Sequence, residues 1–158
     1  MNGDQYVALL VGWGGGYAVL GGDLPPYNRP NISRVLAFKL DGKASLPPLA
    51  TQVARVLDPP PQTASSATVA QGRRLYSRYC ITCHGIDAVS GGLVPDLRHS
   101  GLLGNNGWFA VVLGTSLQKQ GMVSFARVLN HQQAAAIRAY VIGQAIDAKA
   151  AMAQRAHD

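Results

Sequence analysis

The chain has 158 residues, 47% hydrophobic and 14% charged, with a formal charge of +6 and eight acids, all of them Asp. That length and composition fit one domain plus part of another; they exclude a wholly disordered chain and leave no apolar run of the roughly 18–20 residues that spans a bilayer. Two cysteines exclude a disulfide-dense scaffold and any four-cysteine zinc or iron–sulfur site, so the question becomes what one close cysteine pair does.

Residues 1–44 read as β structure. Short apolar runs at 6–11, 17–20 and 35–40 are separated by glycine-rich turns, and the last closes on Asp41-Gly42, a strong turn dipeptide. Three short strands make a poor unit without a second layer. The region therefore reads as the end of a larger β structure. The first twenty residues lack a basic segment, and Gly12 to Gly16 interrupt the apolar run, so no signal peptide is read here. The glycine cluster is no phosphate loop, because it lacks the Lys-Ser/Thr ending and a following helix.

Residues 45–66 read as a linker. Pro47, Pro48 and the three prolines at 59–61 favour extended geometry, which predicts a semi-rigid tether. The alternative is that the apolar residues of 49–57 lie along a neighbouring surface.

Residues 67–158 read as helical. A first helix over 67–79, capped by Ser66 or Thr68, carries its apolar face at Val69, Leu75, Tyr76 and Tyr79. A short helix over 108–113 stops at Gly114. Asn130 is placed to cap a last helix whose apolar face is Ala134, Ile137, Tyr140, Val141 and Ile146. The basic balance sits in this part, with nine Lys or Arg against four Asp after residue 66. Arg73, Arg74 and Arg78 cluster on the first helix; such a cluster is either a solvated face or a steering surface for an acidic partner. With no basic stripe interleaved with aromatics, nucleic-acid binding is not expected.

Cys80, Cys83 and His84 form C-x-x-C-H, the attachment signature of c-type haem. The two thiols add to the two vinyl groups, and the adjacent imidazole faces the iron. Zinc would need two more ligands. His99, His131 and His157 are available, but no second paired motif accompanies them. A redox dithiol would sit in a βαβ setting, which is missing around Cys80. A disulfide across two residues is strained. The haem reading calls for a second axial ligand, and Met122, in a loop between two helix candidates, is the expected one. His/Met ligation raises the potential relative to two histidines. Met1 lies in the wrong region, Met152 lies near the end, and His99 and His131 compete. The bland alternative for Met122 is gap-filling in the core.

These residues carry a resemblance. The segment 67–158 resembles a class I cytochrome c domain. Gly72 and Tyr76 precede the haem motif where that family's first helix crosses its last, and Ile137 and Tyr140 supply the facing surface. The resemblance implies that the Pro95 carbonyl accepts the Nδ1 proton of His84, which would fix the ring. It also implies that Arg98 pairs with a haem propionate; a solvated charge is the alternative. Trp108 either lines the haem edge or packs in the core. More narrowly, the segment around Gly91 to Arg98, Gly121-Met122 and 136–141 is similar to the C-terminal cytochrome domain of quinohaemoprotein alcohol dehydrogenases. The strands at 11–17 and 34–43 resemble the last strands of their propeller. Val123 departs from the proline that often follows the ligand methionine.

The resemblance implies a mainly α fold: a cytochrome c domain over 67–158, a Pro-rich linker over 45–66, and the C-terminal strands of a β-propeller over 1–44. It implies one covalent haem c per chain, with pyrroloquinoline quinone (PQQ) and calcium held in an upstream propeller. It implies one-electron relay from that propeller to a soluble redox protein or a respiratory-chain acceptor, in the periplasm, with the export signal upstream. The chain alone is not expected to oxidise alcohols, because the quinone and calcium ligands and the catalytic carboxylate would lie upstream. The alternative reading is a stand-alone haem sensor whose sixth position is open or weakly held by Met122. Trp13 is a conceivable neighbour of the quinone.

Overall fold

A computed structural model describes residues 5–12, 33–48, 56–90 and 94–155. The strand expected at 17–20, together with Met1, Trp13, Gly91 and His157, lies outside the described residues.

Two strands pair antiparallel, β1 (Tyr6–Val11) and β2 (Arg34–Lys39), in a register that sets Tyr6 against Lys39 and Val11 against Arg34. The second starts one residue earlier than the apolar run predicts. It ends because Asp41 takes φ 60° and the Gly42 amide returns to the Lys39 carbonyl at 3.0 Å. Both strands are apolar yet open to solvent, Leu10 being 89% exposed.

The helical part begins earlier than the apolar spacing indicates. Residues 56–65 are not a free tether but a strap on the helical unit. Leu57 is 5% exposed, and the Gln62 amide donates to the Ala139 carbonyl at 2.7 Å. Asp58 pairs loosely with Lys149 at 3.5 Å. Pro59, Pro60 and Pro61 suit this role, since they carry no backbone N–H that would need a partner.

Helix α1 spans Ser66–Tyr79. Its cap is Ser65, not Ser66 or Thr68. Ser65 keeps an extended backbone and its Oγ accepts the Thr68 amide at 3.2 Å. All three residues carry a suitable oxygen, and the one just outside the first helical residue takes the role. A one-turn helix, α2 (Ile81–His84), follows directly. Helix α3 spans Gly107–Val112. A Cβ on Gly114 would fall 2.3 Å from the Ala110 carbonyl oxygen, so the chain leaves the helix where glycine permits. The last helix, α4 (His131–Arg155), opens with a reciprocal pair: Asn130 Oδ1 accepts the Gln133 amide, and Gln133 Oε1 accepts the Asn130 amide, both at 2.9 Å.

The core lies where α1 crosses α4. Tyr76, Ile137 and Val141 are its largest fully buried side chains. Gly72 makes the crossing close, because a Cβ there would sit 1.9 Å from the Ala136 carbonyl oxygen. The Tyr76 and Tyr140 rings then meet at 5.2 Å, tilted by 51°. Trp108 belongs to this core, with its indole N–H on the Ala134 carbonyl at 2.9 Å.

Candidate functional site

The end of α1 and the turn of α2 present the two cysteines and the histidine together. Cys80 caps α1, its amide bound to the Tyr76 carbonyl at 2.8 Å. The amides of Cys83 and His84 both return to the Cys80 carbonyl, at 3.2 and 2.9 Å. Both thiols are free; Cys80 is half-buried and Cys83 exposed. Burial, then the neighbouring Cys83, pushes the Cys80 thiol up to about 12, so it stands as a neutral thiol rather than a thiolate.

His84 is the buried polar residue of the described chain, 8% exposed. Its Nδ1 lies 3.0 Å from the Pro95 carbonyl oxygen, which makes Nδ1 the protonated nitrogen and leaves Nε2 with its lone pair. Burial lowers the imidazole pKa, against smaller opposing effects of the Pro95 carbonyl and Asp96. No Nε2 hydrogen bond accompanies the Nδ1 contact among the described residues. No fully enclosed side-chain N or O among them lacks a partner either, so Nε2 opens onto accessible space. A neutral, oriented imidazole beside two free thiols in one helical turn fits a covalently attached haem. No group of three or more His, Cys, Asp or Glu that could hold a metal ion gathers among the described residues.

Met122 is half-buried and is not among the residues packed against the core. It follows Gly121, which is left-handed at φ 95°, and its amide bonds the Leu117 carbonyl at 3.1 Å. The competing histidines have other partners. His99 Nδ1 lies 3.4 Å from the Val56 carbonyl of the strap. His131 stacks on Phe109 at 3.7 Å. Met152 is 51% exposed on α4. Arg98 forms a two-pronged pair with Asp96, Nε to Oδ1 at 3.0 Å and Nη2 to Oδ2 at 2.7 Å. Arg73, Arg74 and Arg78 are all exposed on α1.

Some contacts at this site have no local signature. The Tyr76 hydroxyl donates to the Gly85 carbonyl at 2.7 Å, and the Tyr140 hydroxyl donates to Asp87 Oδ1 at 2.9 Å. Both tyrosines read from sequence as apolar-face residues. The hydrogen-bonding need of a buried phenol was the signal that each would seek a partner. Burial pushes both phenols well above their ordinary range.

The architecture is that of a cytochrome c domain, and the comparisons accord with that fold. Residues 67–141 match the family model described as cytochrome c oxidase, cbb3-type, subunit III. Over 91% of its length the chain is 42% identical to quinohemoprotein alcohol dehydrogenase ADH IIB of Pseudomonas putida, covering 21% of that enzyme. It is 40% identical, over 91% of its length and 19% of the relative's, to the dehydrogenase subunit of the alcohol dehydrogenase (quinone) of Gluconobacter oxydans. The solved structure of quinohemoprotein alcohol dehydrogenase ADHIIG from Pseudomonas putida HK5 superposes with a TM-score of 0.80 at 35% identity, over 93% of this chain and 21% of that one. The chain spans about a fifth of the length of the curated relatives it matches. It matches the C-terminal cytochrome c domain of the quinohaemoprotein alcohol dehydrogenases.

Proposed function

We propose that residues 67–158 carry one haem c, attached through Cys80 and Cys83, and relay electrons singly from a PQQ-dependent alcohol dehydrogenase domain to a separate acceptor. The observation that carries this reading is the state of His84: buried, neutral, its Nδ1 on the Pro95 carbonyl and its Nε2 available.

Each residue has a part. Cys80 and Cys83 hold the group covalently. His84 Nε2 would be an iron ligand, and Pro95 orients its ring and raises its basicity. Met122 would be the other, and its place outside the core favours ligation over gap-filling. Arg98, steadied by Asp96, pairs with a propionate. The haem supplies one-electron chemistry when bound, and the protein sets its ligands, burial and docking. With His84 and Met122 both bound to the iron there would be no open site for substrate, so we assign alcohol oxidation to the partner domain, with its PQQ and calcium. We place residues 1–44 at the edge of that domain's propeller. The solvent-open apolar faces of β1 and β2 support this, since such faces are ordinarily covered. The exposed arginines of α1 fit an acidic redox protein as acceptor. Attachment through thioethers implies assembly in the periplasm.

The test is expression together with a c-type haem maturation system. The chain is expected to gain the mass of one haem and to keep it after denaturation. The Cys80→Ala, Cys83→Ala double variant is expected to lose it. A chain that leaves maturation without covalent haem overturns the proposal. Reduction of the loaded chain by alcohol with no added dehydrogenase domain would overturn the division of labour.

A further inference from the structure

The segment that leaves the haem motif is backbone under strain. Gly85 takes φ 78°, Asp87 φ 53° and Ala88 φ 64°, so three of the four residues after His84 are left-handed. Glycine accepts this freely, and aspartate tolerates it through its short polar side chain. Alanine has neither excuse, and Ala88 is fully buried in the core. Such a path persists only where the surroundings over-determine it, and strain of this kind clusters at functional sites.

Two hydroxyls hold it. Tyr76, from α1, grips the Gly85 carbonyl next to His84. Tyr140, from α4, grips the Asp87 carboxylate. The two rings pack on each other at the helix crossing, so one rigid element carries both arms. The Pro95 carbonyl holds the imidazole of the same His84.

We propose that Tyr76 and the Tyr140–Asp87 pair are positioning residues: they lock the left-handed exit from the haem motif, so that the backbone carrying His84 has a single conformation. The helix crossing thereby becomes the support of the axial ligand as well as the centre of the core. This rests on the reading of His84 as an iron ligand. A ligand held through both its ring and its backbone would not reorient when the iron changes charge, which suits rapid one-electron exchange.

The test uses the haem-loaded chain and four variants: Tyr76→Phe, Tyr140→Phe, Asp87→Ala and Asp87→Asn. The phenylalanines keep the packing and lose only the hydroxyl. Asparagine keeps an oxygen that accepts from Tyr140. Two readouts are taken: the paramagnetically shifted proton resonances of the His84 ring, and hydrogen exchange of the Val89 amide, which bonds the Ile86 carbonyl inside the strained turn. The wild-type chain and Asp87→Asn are expected to give one set of His84 resonances at the same shifts. The other three are expected to give moved or doubled resonances and Val89 exchange faster by about fivefold or more. Unchanged His84 resonances in both Tyr76→Phe and Asp87→Ala overturn the proposal, even if their melting temperatures fall, because the contacts would then only stabilise the fold. A wild-type chain without covalent haem defeats the underlying reading instead, and unchanged Val89 exchange in the variants would then still defeat the brace.

Discussion

Gly72 of α1 and Ala136 of α4 approach so closely that a Cβ on the glycine would lie 1.9 Å from the Ala136 carbonyl oxygen and 3.0 Å from the Tyr140 Cβ. The crossing that results brings Tyr76 onto Tyr140 and carries the hydroxyls that meet the haem motif.

Gly72→Ala in the haem-loaded chain is therefore expected to destabilise it by about 1–3 kcal/mol, since the neighbour is backbone and cannot yield cheaply. Gly101→Ala is the control, with nothing within 4 Å of the added methyl. Thermal unfolding of the two variants side by side checks this, and equal melting temperatures would contradict the close crossing.

Tyr76 makes stability depend on alkali. Burial raises its phenol pKa above the ordinary value near 10, so the folded state prefers the neutral form. The unfolded chain releases its proton first as pH rises. This contribution is therefore intact below about pH 10 and is lost progressively above it. Urea midpoints measured from pH 8 to 11 should fall at the alkaline end, and fall less in Tyr76→Phe. An identical fall in both chains would assign the effect elsewhere.

The strap has its own signature. Gln62→Ala removes the donor to the Ala139 carbonyl, a loss of roughly 0.5–1.5 kcal/mol. Limited proteolysis should then cut within residues 56–65 sooner than in the parent chain. Unchanged cleavage would mean that Leu57 and the Asp58–Lys149 pair suffice to hold the strap.

Much of this molecule was legible in its residues because the relevant chemistry is local. C-x-x-C-H demands one helical turn, and α2 supplies it. Tyr76, Ile137 and Tyr140 stand at helical apolar spacing; their meeting with Gly72 at a helix crossing is what the resemblance implies, and the structure shows it. Asn130 was placed to cap α4, and its side chain accepts the Gln133 amide. What escaped notice depends on distant partners. Nothing in Asp87-Ala88 announces left-handed backbone, because Tyr140, 53 residues away, helps to hold it there. The strap reads as tether by composition, and only the distant α4 gives Gln62 and Asp58 their partners, Ala139 and Lys149. The contact between His84 and Pro95 spans 11 residues and followed from resemblance, not from local pattern.

On the proposed function, His84 and Met122 would together close the iron to substrate and leave it only electrons to exchange. The direct measurement is the absorption spectrum of the oxidised, haem-loaded chain beside that of Met122→Ala. A thioether-to-iron charge-transfer band toward the red is expected in the parent chain, and its loss in the variant. The same spectrum in both would contradict it, and would leave the sixth position open or held by another residue.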